Sequence, residues 1–290
     1  GIITGSYHLP VASLRSHATL SHTPPPNAYR SSSRPEIIVC VERMVEEAAK
    51  QFGFDPIALR RRNLVRSDEM PYRNAVGMTY DSGEYERSLD MVMKLSDWNG
   101  FESRKREAKA RGKLLGRRVA HYVESSIGSP IEQAQIRVLP DEGRVDVVIG
   151  TQPSGQGHET SFAQVAAQWL GRPVEKVRIV LGDTDIVKVG GGSHSGRSMR
   201  HAGTVIVKTA DVLIAKGKRI AEHVLEASAA DIDFTDGKFV VKGTDRSIGL
   251  FDLAAAAKAK RDDLPDDLKD GLSAVESNEM HTPVFPNGCH

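Results

Sequence analysis

The hydrophobic positions of the first part of the chain recur mainly at helical spacing. Apolar residues three and four apart predict a helix over Arg34–Phe52, with Pro35 in its first turn. A short helix is predicted after Asp55-Pro56, a third helix near Ser82, and a highly charged stretch covers Phe101–Arg111. These patterns predict a mostly helical first domain over residues 1–112.

The remainder of the chain, residues 113–290, mixes two periods and predicts a domain of helices and strands. Alternating apolar positions predict strands at 114–123, 132–139 and 144–151. The same sequence predicts a helix from His158, a long helix from about Gly203 to Ala227, a hairpin at Asp236-Gly237 and a surface connection over Lys258–Asp270. The fold class predicted for the whole chain is therefore α+β.

Glycine-rich segments follow strand-like runs at two places in this second part. Gly155-Gln156-Gly157 lies between the strand 144–151 and the helix from His158, and the cluster Gly190–Gly196 follows the run VRIVLGDTD. Helix N-termini carry unpaired N–H groups and the positive end of the helix dipole, so they favour anions. A tight turn is the simpler explanation for each glycine taken alone. No dinucleotide fingerprint and no Gly-Lys-Ser/Thr loop is present, which disfavours an ordinary nucleotide.

Composition narrows the class of protein. A charged fraction of 27% and a net charge of +1 give no basis for binding nucleic acid or an anionic membrane surface. No apolar run reaches the length of a membrane span, and no charged-then-apolar leader precedes Tyr7. Cys40 lies in the helical pattern of Arg34–Phe52, which predicts a buried thiol, and with Cys289 it suggests no disulfide framework. A reducing, cytoplasmic location fits these observations.

Several motifs in order resemble one enzyme family. The segments GQGHETSFAQVAAQWLG, VRIVLGDTD and GGGSHSGRSMRHAG are similar to the second cofactor-binding region of the molybdenum-binding subunit of the xanthine dehydrogenase, aldehyde oxidase and carbon monoxide dehydrogenase family. Ala28–Glu36 (AYRSSSRPE) resembles that family's active-site loop, Ala-Tyr-Arg-Gly-x-Gly-Arg-Pro-Glu. Phe54-Asp55-Pro56, the run LRRRNL and Tyr80–Gly83 also match. The resemblance implies mixed α/β layers of the molybdenum cofactor-binding type, incomplete in this chain. It implies that residues 1–112 are the C-terminal part of a first such domain and residues 113–290 the N-terminal part of a second.

The same resemblance implies an activity and its cofactors. The activity is oxidative hydroxylation of an aldehyde or an N-heterocycle, with water as the oxygen source. The cofactor is molybdenum-molybdopterin, with the cytosine dinucleotide as one form it can take, and iron–sulfur and FAD groups lie on partner chains only. Arg30 and Ser31 are the implied catalytic residues. The alternative for Arg30 is an ion pair with Glu36 or Glu42. Carbon monoxide-oxidising relatives carry a cysteine where Ser31 stands, and a hydroxyl suits Cu(I) poorly, so that chemistry is disfavoured.

The cofactor-binding residues are predicted in the two glycine-rich segments, with no protein ligand to the metal. His158, His194 and His201 lack the spacing and the partners of a zinc site, which favours hydrogen bonding. Asp183 and Asp185 are expected to form a turn, and orienting a loop or acting as a base is the alternative for them. The predicted cofactor-binding set is Gly155, Gln156, Gly157, His158, Ser193, Ser195, Gly196, Arg197 and Ser198.

Two segments of the family pattern do not occur in this sequence. One is the upstream Gly-Gly-Phe-Gly-Gly near the metal, and the other is a downstream Gly-Glu whose glutamate acts as the base. We interpret the chain as a piece of a larger catalytic subunit, expected to be inactive in isolation. Its expected partners are the remainder of the molybdenum subunit and the iron–sulfur and flavin subunits. A naturally split medium subunit that completes its site with another chain and a non-catalytic scaffold domain remain as alternatives.

Overall fold

The computed structural model describes residues 2–25, 27 and 31–290, and these form two compact units. Unit one consists of Gly1–Ser126 together with Pro283–His290, and unit two is Ile127–Thr282. Helices and several small sheets occur together, which confirms the predicted class of mixed helices and strands. The predicted domains 1–112 and 113–290 were defined by cofactor binding, whereas the two units are defined by compactness. The units therefore do not test these domains, which stay a prediction.

The helices, numbered along the chain, are α1 Arg34–Phe52, α2 Pro56–Asn63, α3 Tyr85–Leu95, α4 Phe101–Ala110, α5 His158–Trp169, α6 Ser198–Leu225 and α7 Leu250–Ala259. The strands are β1 Tyr72–Arg73, β2 Thr79–Tyr80, β3 His121–Val123, β4 Ile131–Leu139, β5 Arg144–Ile149, β6 Val177–Val180, β7 Ile232–Thr235, β8 Lys238–Val241, β9 Ser247–Gly249, β10 Ser273–Glu279 and β11 Asn287–Cys289. None of the helices formed by the described residues combines the length and the apolar character that spanning a bilayer requires.

Unit one is held together by short helices and by pairing between distant parts of the sequence. The Asp55 side chain caps α2 by accepting a 2.7 Å hydrogen bond from the Ala58 N–H. The antiparallel pair β3–β11 brings the last residues of the chain beside His121–Val123. Next to it, Ser126 and Val284 exchange backbone hydrogen bonds of 2.8 and 3.3 Å. The chain thus leaves unit one and returns to it at neighbouring positions.

The predicted burial of Cys40 is wrong, because α1 packs with a different face. Glu42 and Ala49 are its buried residues, whereas Cys40, Met44 and Phe52 are exposed. Glu42 carries hydrogen bonds to groups from several elements, and these bonds set the rotation of the helix. An apolar groove of about 460 Å³ therefore remains open along the other side of α1.

Unit two is built on a four-stranded sheet in the order β10-β4-β5-β6. The pairs β10–β4 and β4–β5 are antiparallel, and β5–β6 is parallel. Helix α6 packs on β4 and β10, and α5 packs on β6. Strand β5 was expected to be buried on one face, but Asp146 and Val148 on the other face are buried as well, and the side chains of Arg144 and Arg178 contact the Asp146 carboxylate there.

Two of the differences between the predicted and the observed element boundaries are large. The strand predicted at 114–123 forms only at His121–Val123, where β11 supplies a partner. The long helix begins at Ser198 and not at Gly203, so the glycine lies inside α6. The predicted hairpin is confirmed: Asp236 and Gly237 both have positive φ (51° and 72°) between β7 and β8, the backbone of a two-residue turn.

Candidate functional site

The two glycine-rich segments lie side by side because they follow neighbouring parallel strands. We define the first glycine loop as residues 150–157, between β5 and α5, and the second glycine loop as residues 181–197, between β6 and α6. The register pairs Val145 with Val177 and Val148 with Val180, so both strands end at the same edge of the sheet. Ligands of open α/β sheets bind at this carboxyl edge.

Three predicted site residues lie within hydrogen-bond distance of the hydroxyl of a fourth, Ser193. The Gln156 amide donates to Ser193 Oγ over 3.2 Å, and His158 Nε2 lies 3.3 Å from the same oxygen. Ser198 Oγ is 2.7 Å from Ser193 Oγ. His158 is the first residue of α5 and Ser198 the first of α6, so two helix N-termini converge on this cluster. Their dipoles favour negative charge there.

The first glycine loop offers open space beside this cluster. Gly155 and Gly157 have φ of 105° and 75°, a backbone region that L side chains rarely adopt. A Cβ added to either residue would meet no atom within 4 Å, so the backbone there is accessible to a ligand. The Gln156 side chain folds back within the loop and accepts a hydrogen bond from the Ser154 N–H.

His158 adds a polar atom without a protein partner. Its Nδ1 is buried and, within the described part of the chain, no hydrogen-bond partner lies within reach. Burial lowers the pKa of His158 below its ordinary value, with Glu159 acting weakly in the opposite direction. The ring is therefore neutral at neutral pH, and a neutral imidazole donates from one nitrogen and accepts at the other. A cofactor rich in phosphate and pterin heteroatoms fits the exposed N–H and amide groups of the first glycine loop beside this imidazole.

The remaining predicted residues of the second glycine loop have different surroundings. Ser195 has φ of 50°, and its hydroxyl lies 3.2 Å from His194 Nδ1. Gly196 has φ of 69° and is exposed. Asp183 accepts a 2.9 Å hydrogen bond from the Asp185 N–H, so this pair forms the local turn expected for it.

Arg197 is fully buried, and its guanidinium is directed at protein atoms. Nη1 lies 2.8 Å from Glu132 Oε2, and the Thr151 hydroxyl and His201 Nδ1 are also within hydrogen-bond distance. His201 is buried too, and burial followed by the charges of Arg197 and Arg200 lowers its pKa. In this structure Arg197 holds the loop and presents no charge at the surface.

Glu132 and Thr151 were not predicted as site residues. Glu132 lies on β4 in phase with the buried residues Ala134, Ile136 and Val138, and it is fully buried itself. An acidic residue on the apolar face of a predicted strand is a signal of a buried ion pair, and this signal was available in the sequence.

The segment that resembles the family's active-site loop, Ala28–Glu36, belongs to unit one. Arg30 lies outside the described residues. Ser31 is exposed with φ of 61°, and Ser33 has φ of 71°, at the two positions where the family motif carries glycine. Arg34 fixes this segment: Nη1 donates to the Ser31 carbonyl over 3.0 Å, Nη2 donates to Ser125 Oγ over 2.7 Å, and Nε pairs with Glu124 at 2.6 Å.

Comparison with known proteins gives one consistent result. A family model described as "Molybdopterin cofactor-binding domain" matches residues 91–290, and another with the same description matches residues 1–64. The carbon monoxide dehydrogenase large chain of Hydrogenophaga pseudoflava is 30% identical over 100% of this chain and 38% of its own length. The nicotine 6-hydroxylase large subunit of Paenarthrobacter nicotinovorans is 29% identical over 99% of this chain and 36% of its own.

A solved structure agrees with these relatives. The quinoline 2-oxidoreductase of Pseudomonas putida 86 superposes with a TM-score of 0.86 at 30% identity, covering 99% of this chain and 38% of that one. The chain thus spans less than two fifths of the length of these relatives.

Proposed function

Because this chain belongs to the molybdopterin cofactor-binding domain family, we propose that its two glycine loops hold a molybdenum-molybdopterin cofactor in an oxidoreductase. The observation that carries the proposal is the cluster at Ser193, where Gln156, His158 and Ser198 meet at two helix N-termini. Helix N-termini and neutral polar groups stabilise phosphate oxygens without a protein cation. Beside this cluster, His158 Nδ1 is a buried polar atom without a partner among the described residues.

The proposed reaction is oxidative hydroxylation of an aldehyde or N-heterocycle with water as the oxygen source. The bound cofactor supplies the redox chemistry, and the protein supplies binding and orientation. Gly155 and Gly157 allow close approach of the backbone, and Gln156 can both donate to and accept from the ligand. Ser31 offers a hydroxyl, a poor ligand for Cu(I), which favours hydroxylation over carbon monoxide oxidation. In this proposal Arg30 uses its planar guanidinium to hold an oxygen of the substrate or cofactor.

The proposal extends to partners and location. Relatives named as a large chain or a large subunit support an assembly with further chains, for which we propose iron–sulfur and flavin subunits and the remainder of the molybdenum subunit. The cytosine dinucleotide form and a cytoplasmic location belong to the same proposal, and the free thiols of Cys40 and Cys289 fit a reducing compartment.

A substitution at Gln156 tests whether the first glycine loop binds the cofactor. In the complete protein assembled with its partners, Gln156→Ala should weaken cofactor retention or turnover by about 1–3 kcal/mol, the scale for leaving buried polar partners unsatisfied. Molybdenum and pterin per chain are measured after gel filtration, together with kcat. Gln164→Ala, on the exposed side of α5, is the matched control and should leave both unchanged.

The outcomes separate the alternatives. Cofactor bound by the wild-type assembly and lost in Gln156→Ala supports the proposal. A wild-type assembly with neither molybdenum nor pterin would favour the scaffold alternative. Unchanged occupancy and unchanged kcat in Gln156→Ala would mean that the first glycine loop is only a turn.

A further inference from the structure

We infer that Glu132 and Arg197 form a positioning pair that fixes the second glycine loop against the first without touching the cofactor. The inference rests on the proposed function, because the two loops are the proposed cofactor site. Both side chains are fully buried, and Arg197 Nη1 lies 2.8 Å from Glu132 Oε2. Neither residue therefore reaches a ligand directly, and both act through the backbone that they hold.

One carboxylate oxygen of Glu132 joins three segments of unit two. Oε2 accepts hydrogen bonds from the Thr151 hydroxyl over 2.6 Å, from Arg197 over 2.8 Å and from the Gly191 N–H over 3.2 Å. Thr151 belongs to the first glycine loop, and Gly191 and Arg197 belong to the second. Strand β4, which carries Glu132, is thereby tied to both loops.

Arg197 binds backbone carbonyl groups of the second glycine loop and of the segment at the start of β4. Its Nη1 donates to the Gly192 carbonyl over 2.6 Å. Its Nε and Nη2 donate to the carbonyls of Ser129 and Ile131 over 2.9 and 3.0 Å. A lysine has one nitrogen and no planar fork, so it cannot reach these carbonyls together.

Close packing around the pair explains why some positions of the second glycine loop are glycine, with no need for a ligand. A Cβ on Gly191 would lie 2.5 Å from Arg197 Nη2. A Cβ on Gly190 would lie 2.3 Å from the Cα of Gly150, where the two loops touch. These glycines are required for close packing of the loops and the guanidinium, whereas Gly155 and Gly157 face open space.

The hydroxyl cluster of the site lies between the anchored points. Gly191 and Gly192 precede Ser193, and Arg197 precedes Ser198, so the pair anchors the chain on both sides of the 2.7 Å contact between the two serines. A buried ion pair contributes little net stability compared with an apolar pair, while breaking it by removing one partner is costly. A role in positioning and a role in stability can therefore be separated.

The experiment compares single and double variants of the full chain. Glu132→Gln should lower the urea midpoint and accelerate amide exchange at residues 190–193 by about tenfold or more. The double variant Glu132→Met with Arg197→Met should recover much of the midpoint, because no unpaired charge remains, yet exchange at 190–193 should stay fast. In the assembled protein both variants should retain less molybdenum and pterin than the wild type.

Asp146 provides a matched control in the same sheet. Its carboxylate is 1% exposed and lies 3.0 Å from Arg144 Nε and 2.9 Å from Arg178 Nε, with no part in either glycine loop. Asp146→Asn should lower the urea midpoint while exchange at 190–193 and cofactor retention stay at the wild-type level. If Glu132→Gln does not fold, Arg197→Lys, which keeps the charge, replaces it in the same comparison.

If the double variant shows wild-type amide exchange at residues 190–193 and wild-type cofactor content, the inference is overturned. The pair would then contribute to stability alone. An equal acceleration of exchange in Asp146→Asn would overturn the inference as well. The exchange measurement needs no cofactor. If the wild-type assembly binds none, the proposed function fails, while the positioning role can still be judged on exchange alone.

Discussion

Each unit of this chain contains a fully buried arginine paired with a buried glutamate. In unit one, Arg60 Nε lies 2.9 Å from Glu42 Oε2, and in unit two, Arg197 Nη1 lies 2.8 Å from Glu132 Oε2. The two pairs are alike in chemistry and in burial, but the groups around them differ. The unit one pair joins two helices, whereas the unit two pair holds the backbone of loops.

The unit one pair joins elements whose backbone is already hydrogen-bonded. Glu42 lies on α1 and Arg60 on α2, and the other oxygen of Glu42 accepts from the Tyr7 hydroxyl at 2.7 Å and from the His121 N–H at 3.1 Å. The unit two pair instead bonds to N–H and carbonyl groups of loop residues. Buried loop backbone needs partners that no helix or ladder supplies. The first pair should therefore govern stability, and the second should also govern local shape.

The largest expected effect is on the unit one pair. Glu42→Gln leaves Glu46, 3.0 Å from Arg60 Nη1, as the remaining carboxylate partner of the buried Arg60 charge, and it should lower the free energy of unfolding by about 3–5 kcal/mol. Trp98 lies in unit one and Trp169 in unit two, so urea unfolding followed by Trp98 fluorescence in a Trp169→Phe background measures it. Glu47→Gln, in the exposed pair of Glu47 with Arg43 on the same helix, should change nothing measurable. Equal midpoints for the two variants would contradict the comparison.

The effect of intermediate size is the contribution of His121 in unit one to the dependence of stability on pH. Burial, followed by the charge of Arg60, lowers the pKa of His121 from its ordinary 6.5 to about 4, and the ring lies edge-on to Tyr7 and Tyr85. Because the unfolded state binds the proton more tightly, the stabilisation is complete above pH 6.5 and is lost as the pH falls to 4. The loss amounts to roughly 3 kcal/mol at 1.36 kcal/mol per pKa unit.

The control for this pH effect is His121→Phe, which removes the titrating ring. The free energy of unfolding, measured by Trp98 fluorescence between pH 7 and pH 4, should then depend less steeply on pH than in the wild type. An unchanged pH dependence would assign the effect to other groups. Trp169 should report the separate contribution of His158 and His201, whose pKa values burial also lowers.

The smallest effects come from removing one hydroxyl donor from each carboxylate. Tyr7→Phe and Thr151→Val each delete one hydrogen bond to a charged acceptor, and each should cost about 1.5–2 kcal/mol of stability. Thr151→Val should in addition accelerate amide exchange in the second glycine loop, and Tyr7→Phe should not. Exchange that responds identically to both substitutions would remove the distinction between the two pairs.

Periodicity predicted most helices and strands, because local patterns carry that information. It predicted the wrong buried face for α1, because the rotation of this helix depends on hydrogen-bond partners of Glu42 that lie 18, 35 and 79 residues away in sequence. The residues predicted at the site were recognised from motifs, and their role in cofactor binding stays a prediction. Glu132 was missed because its role depends on Arg197, 65 residues further along, although its place on an apolar strand face was visible.

The hydrogen bonds between Ser126 and Val284 have a consequence for synthesis of the chain on the ribosome. Unit two is continuous, so all of its residues are made before Pro283–His290, and it can fold while the first part of unit one still waits for them. Strand β11 and Phe285, which is 1% exposed, join unit one only after unit two has been made. Until that moment the nascent chain exposes the edge of β3 and the ring of Tyr80, on which Phe285 packs, and during this interval a chaperone has most to protect.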